Sequence, residues 1–81
     1  MKNEDIFQEV KNIIVEIAEI EADTITMDSD IMSDLELSSL EILRLIAEIE
    51  TKLSVRIPDS KTRDIISVGD LVSVVAEVVQ K

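Results

Sequence analysis

From Asn3 to Ile20 the apolar residues fall at Ile6, Val10, Ile13, Ile14, Ile17 and Ile20, the recurrence of one helix face. Asn3 is a candidate N-cap, and Glu4 and Asp5 place negative charge in the first turn. Phe7 flanks the stripe and is expected in the core. Lys2, Lys11 and Asn12 lie off it. The periodicity then fails from Glu21 to Leu37, where Asp23, Thr24, Thr26, Asp28, Ser29, Asp30, Ser33 and Asp34 favour turns and local caps. Ile25, Met27, Ile31, Met32, Leu35 and Leu37 recur among them, so the segment reads as a long loop pinned by apolar anchors, with room for one helical turn at Asp28–Asp34. A connection of this length in a small domain is uncommon and usually functional.

A helical pattern returns from Ser39 to Leu53. Leu40, Leu43, Ile46, Ile49 and Leu53 step by three and four, with Ile42 and Leu45 widening the stripe. Glu41, Arg44, Glu48, Glu50, Thr51 and Lys52 are left for solvent or a partner, and Glu48 with Lys52 has the spacing of an ion pair within the helix. The helix is expected to stop near Ser54, ahead of Val55, Ile57 and Pro58. Asp59 or Ser60 caps a brief turn that presents Ile65 and Ile66 inward. Ser67 opens the last element, with Asp70 three residues on. Valine content there favours a strand. The spacing of Val68, Leu71, Val72, Val75, Val78 and Val79 favours a helix, and no partner strand is in view. The expected fold is all-α, four helices in one domain over residues 1–81, with a long first loop and a short third helix.

The sharpest local signal is Ser38-Ser39-Leu40-Glu41, where Ser38 and Glu41 have the spacing of a capping box. Ser39 then takes the first helical position. Its hydroxyl stands beside unpaired amides at the positive end of the helix dipole, a place suited to a phosphate. Two serines at a helix start are also adequately explained as a cap alone.

Composition narrows the chemistry. The 81 residues carry 8 basic and 18 acidic side chains, a net charge of −10. That disfavours nucleic acid and anionic membranes and favours steering towards basic protein surfaces. A single aromatic residue leaves no base-stacking platform. There is no histidine and no cysteine, which removes Ser–His and Cys–His nucleophiles, disulfides and the usual zinc, iron–sulfur and haem ligand sets. With only one glycine, Gly69, no Gly-rich phosphate loop can form. Asp28-x-Asp30 begins like a calcium loop, but Met32, Ser33 and Ser39 stand where ligand, glycine and bidentate glutamate are needed. No metal site is expected. Met1–Val10 is polar and acidic, unlike a signal peptide, and no window has the length of a membrane span. The expectation is a cytoplasmic monomer without membrane insertion.

Three segments together resemble a known family. Leu35-Glu36-Leu37-Ser38-Ser39-Leu40, followed by Glu41-Ile42-Leu43, resembles the L-G-x-D-S-L signature of acyl carrier proteins. Val55-Arg56-Ile57-Pro58-Asp59 resembles the family's I-x-I-P-D segment, and Ile66-Ser67-Val68-Gly69-Asp70-Leu71 its T-V-G-D-L start of the last helix. The resemblance implies a four-helix bundle of the acyl-carrier type. It implies that Ser39 receives 4′-phosphopantetheine from coenzyme A through a phosphopantetheinyl transferase. The chain would then be a carrier rather than an enzyme, serving acyl-transferring, synthase or ligase enzymes with basic docking patches in fatty-acid, polyketide or related biosynthesis. Candidate partner contacts are Glu36, Ser38, Glu41, Arg44 and Glu48, and candidates for an apolar acyl pocket are Leu43, Ile46, Ile65 and Val72. An aminoacyl or D-alanyl carrier, and a non-covalent acidic adaptor in which both serines only cap, stand as alternatives.

Three positions depart from the family pattern. Ser38 replaces an aspartate, which keeps a cap and drops a charge. Glu36 replaces a glycine, so no left-handed backbone is expected there. Arg44 stands where many relatives carry an acid.

Overall fold

The computed structural model describes residues 2–79. Its helices are α1 (Asn3–Ala18), α2 (Ser39–Leu53), α3 (Asp59–Thr62) and α4 (Val68–Val79), with a short 3-10 turn at Ala22–Thr24. Among the described residues there is no strand, only an isolated antiparallel bridge between Asp30 and Ser67. α1 packs against both α2 and α4. Ile6, Val10, Ile13 and Ile14 of α1 are buried, as are Leu45 and Ile49 of α2 and Val68, Leu71, Val72 and Val75 of α4. None of these helices is long and apolar enough to cross a membrane.

The last element is helical despite its valines. Six β-branched residues cost roughly 3 kcal/mol of helix propensity in total. Burying four apolar side chains contributes about 6–12 kcal/mol, and those four fall on one helical face. The burial term wins.

The long loop is held at two levels. Ile25, Ile31, Leu35 and Leu37 are buried with the helices in one cluster, whereas Met27 and Met32 are exposed. The loop backbone is also laced to the start of α4. Ile31 N donates to Ile66 O at 2.9 Å, Val68 N to Ser29 O at 2.9 Å and Gly69 N to Met27 O at 2.8 Å. Gly69 permits this approach, since a Cβ there would sit 2.9 Å from Met27 O. Asp34 N donates to Asp30 O, a single helical turn within the expected stretch. The Asp30 carboxylate accepts from Met32 N and Ser33 N, and that of Asp34 from Asp30 N. These acids serve their own backbone.

Several local expectations need correction. α1 is capped by Lys2 in extended conformation, not by Asn3, which is its first residue. α3 follows Pro58 as N-cap rather than Asp59 or Ser60. Ile66 points outward and is 63% exposed, because its backbone is committed to the loop while Ile65 turns in. The inward stripe of α2 runs through Ile42, Leu45, Ile46, Ile49 and Leu53, and Leu40 and Leu43 lie outside it at 78% and 63% exposure. Lys52 Nζ lies 3.6 Å from Glu9 Oε2 on α1, an ion pair between helices rather than within α2. Glu50 is also not left for solvent: its carboxylate accepts from Ile57 N at 2.8 Å and fastens the segment after α2.

Candidate functional site

The start of α2 is built from local interactions. Ser38 is the N-cap in extended conformation, and its Oγ accepts from Glu41 N at 3.2 Å. Glu41 Oε1 in turn accepts from Ser38 N at 2.9 Å, completing the capping box. Ile42 N reaches Ser38 O. Among the described residues, the amides of Ser39 and Leu40 have no partner. Ser39 Oγ makes no hydrogen bond either, and the residue is exposed. One hydroxyl is therefore tied into the helix cap and its neighbour is free, next to two unpaired donors and the positive helix end.

The backbone leading into this turn is strained. Glu36 has φ of 55°, in the left-handed region, contrary to the expectation from its side chain. Such a conformation costs a non-glycine residue about 1–2 kcal/mol. The buried anchors on either side, Leu35 and Leu37, hold it there. Leu37 N is also fixed by Ile31 O at 3.1 Å.

Ser39 borders an apolar groove of about 290 Å³. Its lining brings Leu43, Ile46 and Ile65 together with Ile31, Met32, Ile42 and Thr62. Val72 does not belong to it. That side chain is fully buried in the core, because α4 packs its valine stripe against α1 and contributes nothing to the groove. Ile42 had a signal in the sequence, one turn from Ser39 on the same side. Ile31, Met32 and Thr62 had none, since only the fold brings the long loop and α3 to α2.

The candidate partner contacts are spread over the end of the long loop and α2. Glu36, Ser38 and Arg44 are exposed, while Glu41 and Glu48 are half-buried. Arg44 and Glu48 border a second, shallow groove of about 520 Å³ with Ala47, Thr51 and Lys52. The described residues contain no cluster of three or more carboxylates placed to hold a metal ion.

A prosthetic phosphodiester fits this geometry: a free hydroxyl, two unpaired amides and an apolar groove converge at one helix end. Comparison with known proteins agrees. Residues 8–75 match the family model for a phosphopantetheine attachment site. The chain is 36% identical over 75 residues to an acyl carrier protein of Picosynechococcus, covering 93% of each chain. It is 40% identical over 67 residues to one of Campylobacter jejuni, covering 83% of this chain and 87% of the relative. The solved structure of the acyl carrier protein from Enterococcus faecalis superposes with a TM-score of 0.78 at 29% identity, covering 96% of this chain and 99% of that one. On these grounds the chain belongs to the acyl carrier protein family, whose members are carriers rather than enzymes and bear a covalently attached 4′-phosphopantetheine.

Proposed function

We infer that Ser39 is the attachment point of the phosphopantetheine arm, and that the groove beside it receives the near end of an apolar acyl cargo. The observation that carries the assignment is the division of labour between adjacent serines. Ser38 Oγ is engaged by Glu41 N, and Ser39 Oγ is free, exposed and on the rim of the groove. When attached, the arm supplies a terminal thiol that holds acyl groups as thioesters.

The chain's own residues do the rest. Ser39 N and Leu40 N offer donors to an anionic phosphodiester, and the dipole of α2 favours negative charge there. The capping box engages Glu41 with Ser38 N and so leaves the amides of Ser39 and Leu40 uncapped. Leu43, Ile46 and Ile65 line the groove with hydrocarbon, which supports an acyl cargo over an aminoacyl one. Glu36, Ser38, Glu41, Arg44 and Glu48 surround the site from the loop and α2, where a phosphopantetheinyl transferase and acyl-transferring, synthase or ligase enzymes must approach. Fatty-acid biosynthesis is the typical setting of this family.

Incubation with coenzyme A and a promiscuous phosphopantetheinyl transferase, followed by intact-mass measurement, tests the site. Wild type and Ser38→Ala are expected to gain one phosphopantetheinyl group, and Ser39→Ala none. An adduct that persists in Ser39→Ala overturns the assignment.

A further inference from the structure

The glutamates of α2 stand off its outermost stripe. Glu41 has its carboxylate on Ser38 N at 2.9 Å, and Glu50 has its own on Ile57 N at 2.8 Å. Both are committed to backbone at the two ends of the helix. Glu48 is half-buried, one turn from Arg44 on one side and from Lys52 on the other. The fully outward stripe is Leu40, Arg44, Ala47 and Thr51, spaced by four, three and four, and all four are exposed. It presents hydrocarbon, a guanidinium and a hydroxyl, and no carboxylate. Leu43 borders it at 63% exposure.

Arg44 makes no ion pair or hydrogen bond with any described residue, in a chain with 18 acidic side chains. Lys52, on the flank of the same helix, is paired with Glu9, and Lys61 with Glu77. Exposed acids lie off that stripe, among them Glu4, Asp5 and Glu16 of α1, Asp28 and Glu36 of the loop, and Asp59 of α3. The outermost stripe of α2 thus carries a cation in a chain of net charge −10.

We propose that Arg44 is a specificity-determining residue of the docking face. The outer stripe of α2 fits an enzyme whose contact surface carries a carboxylate beside apolar side chains, and it selects against enzymes that approach α2 with cations alone. This deepens the carrier reading and rests on it. At physiological salt, fields between exposed charges decay over roughly 8 Å. Long-range attraction by the acidic loop and α1 can bring a basic partner close, but the charge it meets on the outermost stripe of α2 is Arg44. A guanidinium facing a carboxylate forms two parallel hydrogen bonds, whereas the same group facing Lys or Arg is repelled. Specificity of this kind needs the repulsive element as much as the attractive one.

The probe is a promiscuous phosphopantetheinyl transferase with a basic docking surface, acting on the full chain. Its kcat/KM is measured for wild type, Arg44→Gln and Arg44→Glu at low and high salt. Arg44→Glu is expected to raise kcat/KM about fivefold to tenfold at low salt, with Arg44→Gln between, and the gain is expected to vanish at high salt. Reversing one docking-face cation of the transferase to glutamate is expected to invert the order, so that wild type becomes the better substrate. The proposal is overturned if Arg44→Glu equals or falls below wild type with the basic transferase, if the gain survives high salt, or if the order does not invert. Loss of the Arg44 ordering while Ser39→Ala still takes no adduct defeats this proposal alone. An adduct on Ser39→Ala defeats the site assignment instead.

Discussion

The starts of α2 and α4 carry the same local device and put it to opposite uses. Each has a serine N-cap with an acid three residues on, and each forms both bonds of a capping box: Ser38 with Glu41, and Ser67 with Asp70 at 3.0 and 3.1 Å. Position by position they then diverge. The first helical residue is Ser39 in α2, exposed, and Val68 in α4, fully buried. The second is Leu40, 78% exposed, against Gly69, pressed onto Met27 O. Their amides differ in the same way. Val68 N and Gly69 N are taken by Ser29 O and Met27 O, whereas Ser39 N and Leu40 N have no partner among the described residues. The α4 start is a structural joint that fastens the long loop. The α2 start leaves its hydroxyl and its donors available, as an attachment point requires. A capping box alone does not tell the two apart; what covers it does.

The difference can be broken most forcefully at the first helical position. Val68→Ala is expected to destabilise the fold by about 2–3 kcal/mol, since it removes packed methyl groups and leaves a cavity. Ser39→Ala, its counterpart, is expected to stay within about 0.5 kcal/mol of wild type. Urea unfolding of the two variants checks this, and equal losses would erase the contrast.

A smaller effect sharpens the α2 side. Glu36 holds φ of 55° just ahead of Ser38, and no described glycine has positive φ. Glu36→Gly is expected to stabilise the chain by about 0.5–1 kcal/mol, because glycine adopts the left-handed region without steric cost and recovers part of the strain. The midpoint of urea unfolding is the measurement. A lower midpoint would mean that the Glu36 side chain supplies more than the backbone strain removes.

The last test concerns pH at the α4 side. Asp70 accepts from Ser67 N and Ile66 N, and these backbone bonds hold its carboxyl below the ordinary 3.8. A lowered folded value means that the stabilising contribution is present above 3.8 and is lost as pH falls through the folded value. Asp70→Asn is expected to be less stable than wild type at neutral pH, with the gap narrowing once the pH drops below that range. A gap that stays constant in acid would remove Asp70 from the acid response.

Much of this architecture was legible along the chain. The apolar period marked α1, α2 and α4, and both capping boxes were visible as serine and acid three residues apart, because helix period and capping are settled within a few neighbouring residues. The anchors Ile25, Ile31, Leu35 and Leu37 could be recognised as anchors, though not what they anchored to. Of the two serines, Ser39 was singled out by the resemblance to the L-G-x-D-S-L signature, in which Leu37 and Leu40 set the register.

What the chain could not decide alone is which of two overlapping apolar stripes on α2 faces inward. Leu40 and Leu43 fit the period as well as Leu45 and Ile49 do, and only the position of α1 selects the latter pair. The same holds for Val72, which left the groove for the core, and for Glu36, driven left-handed by the burial of Leu35 and Leu37 on either side. It holds for Glu41 and Glu50 as well, whose carboxylates turn to backbone amides at the helix ends and so leave Arg44 as the charge on the outermost stripe of α2. Period, caps and composition are properties of short stretches and survive in the sequence. Exposure, backbone strain and the charge that a partner meets depend on which distant segment lies alongside, and these were decided only when the long loop closed over the start of α4 and left the start of α2 open.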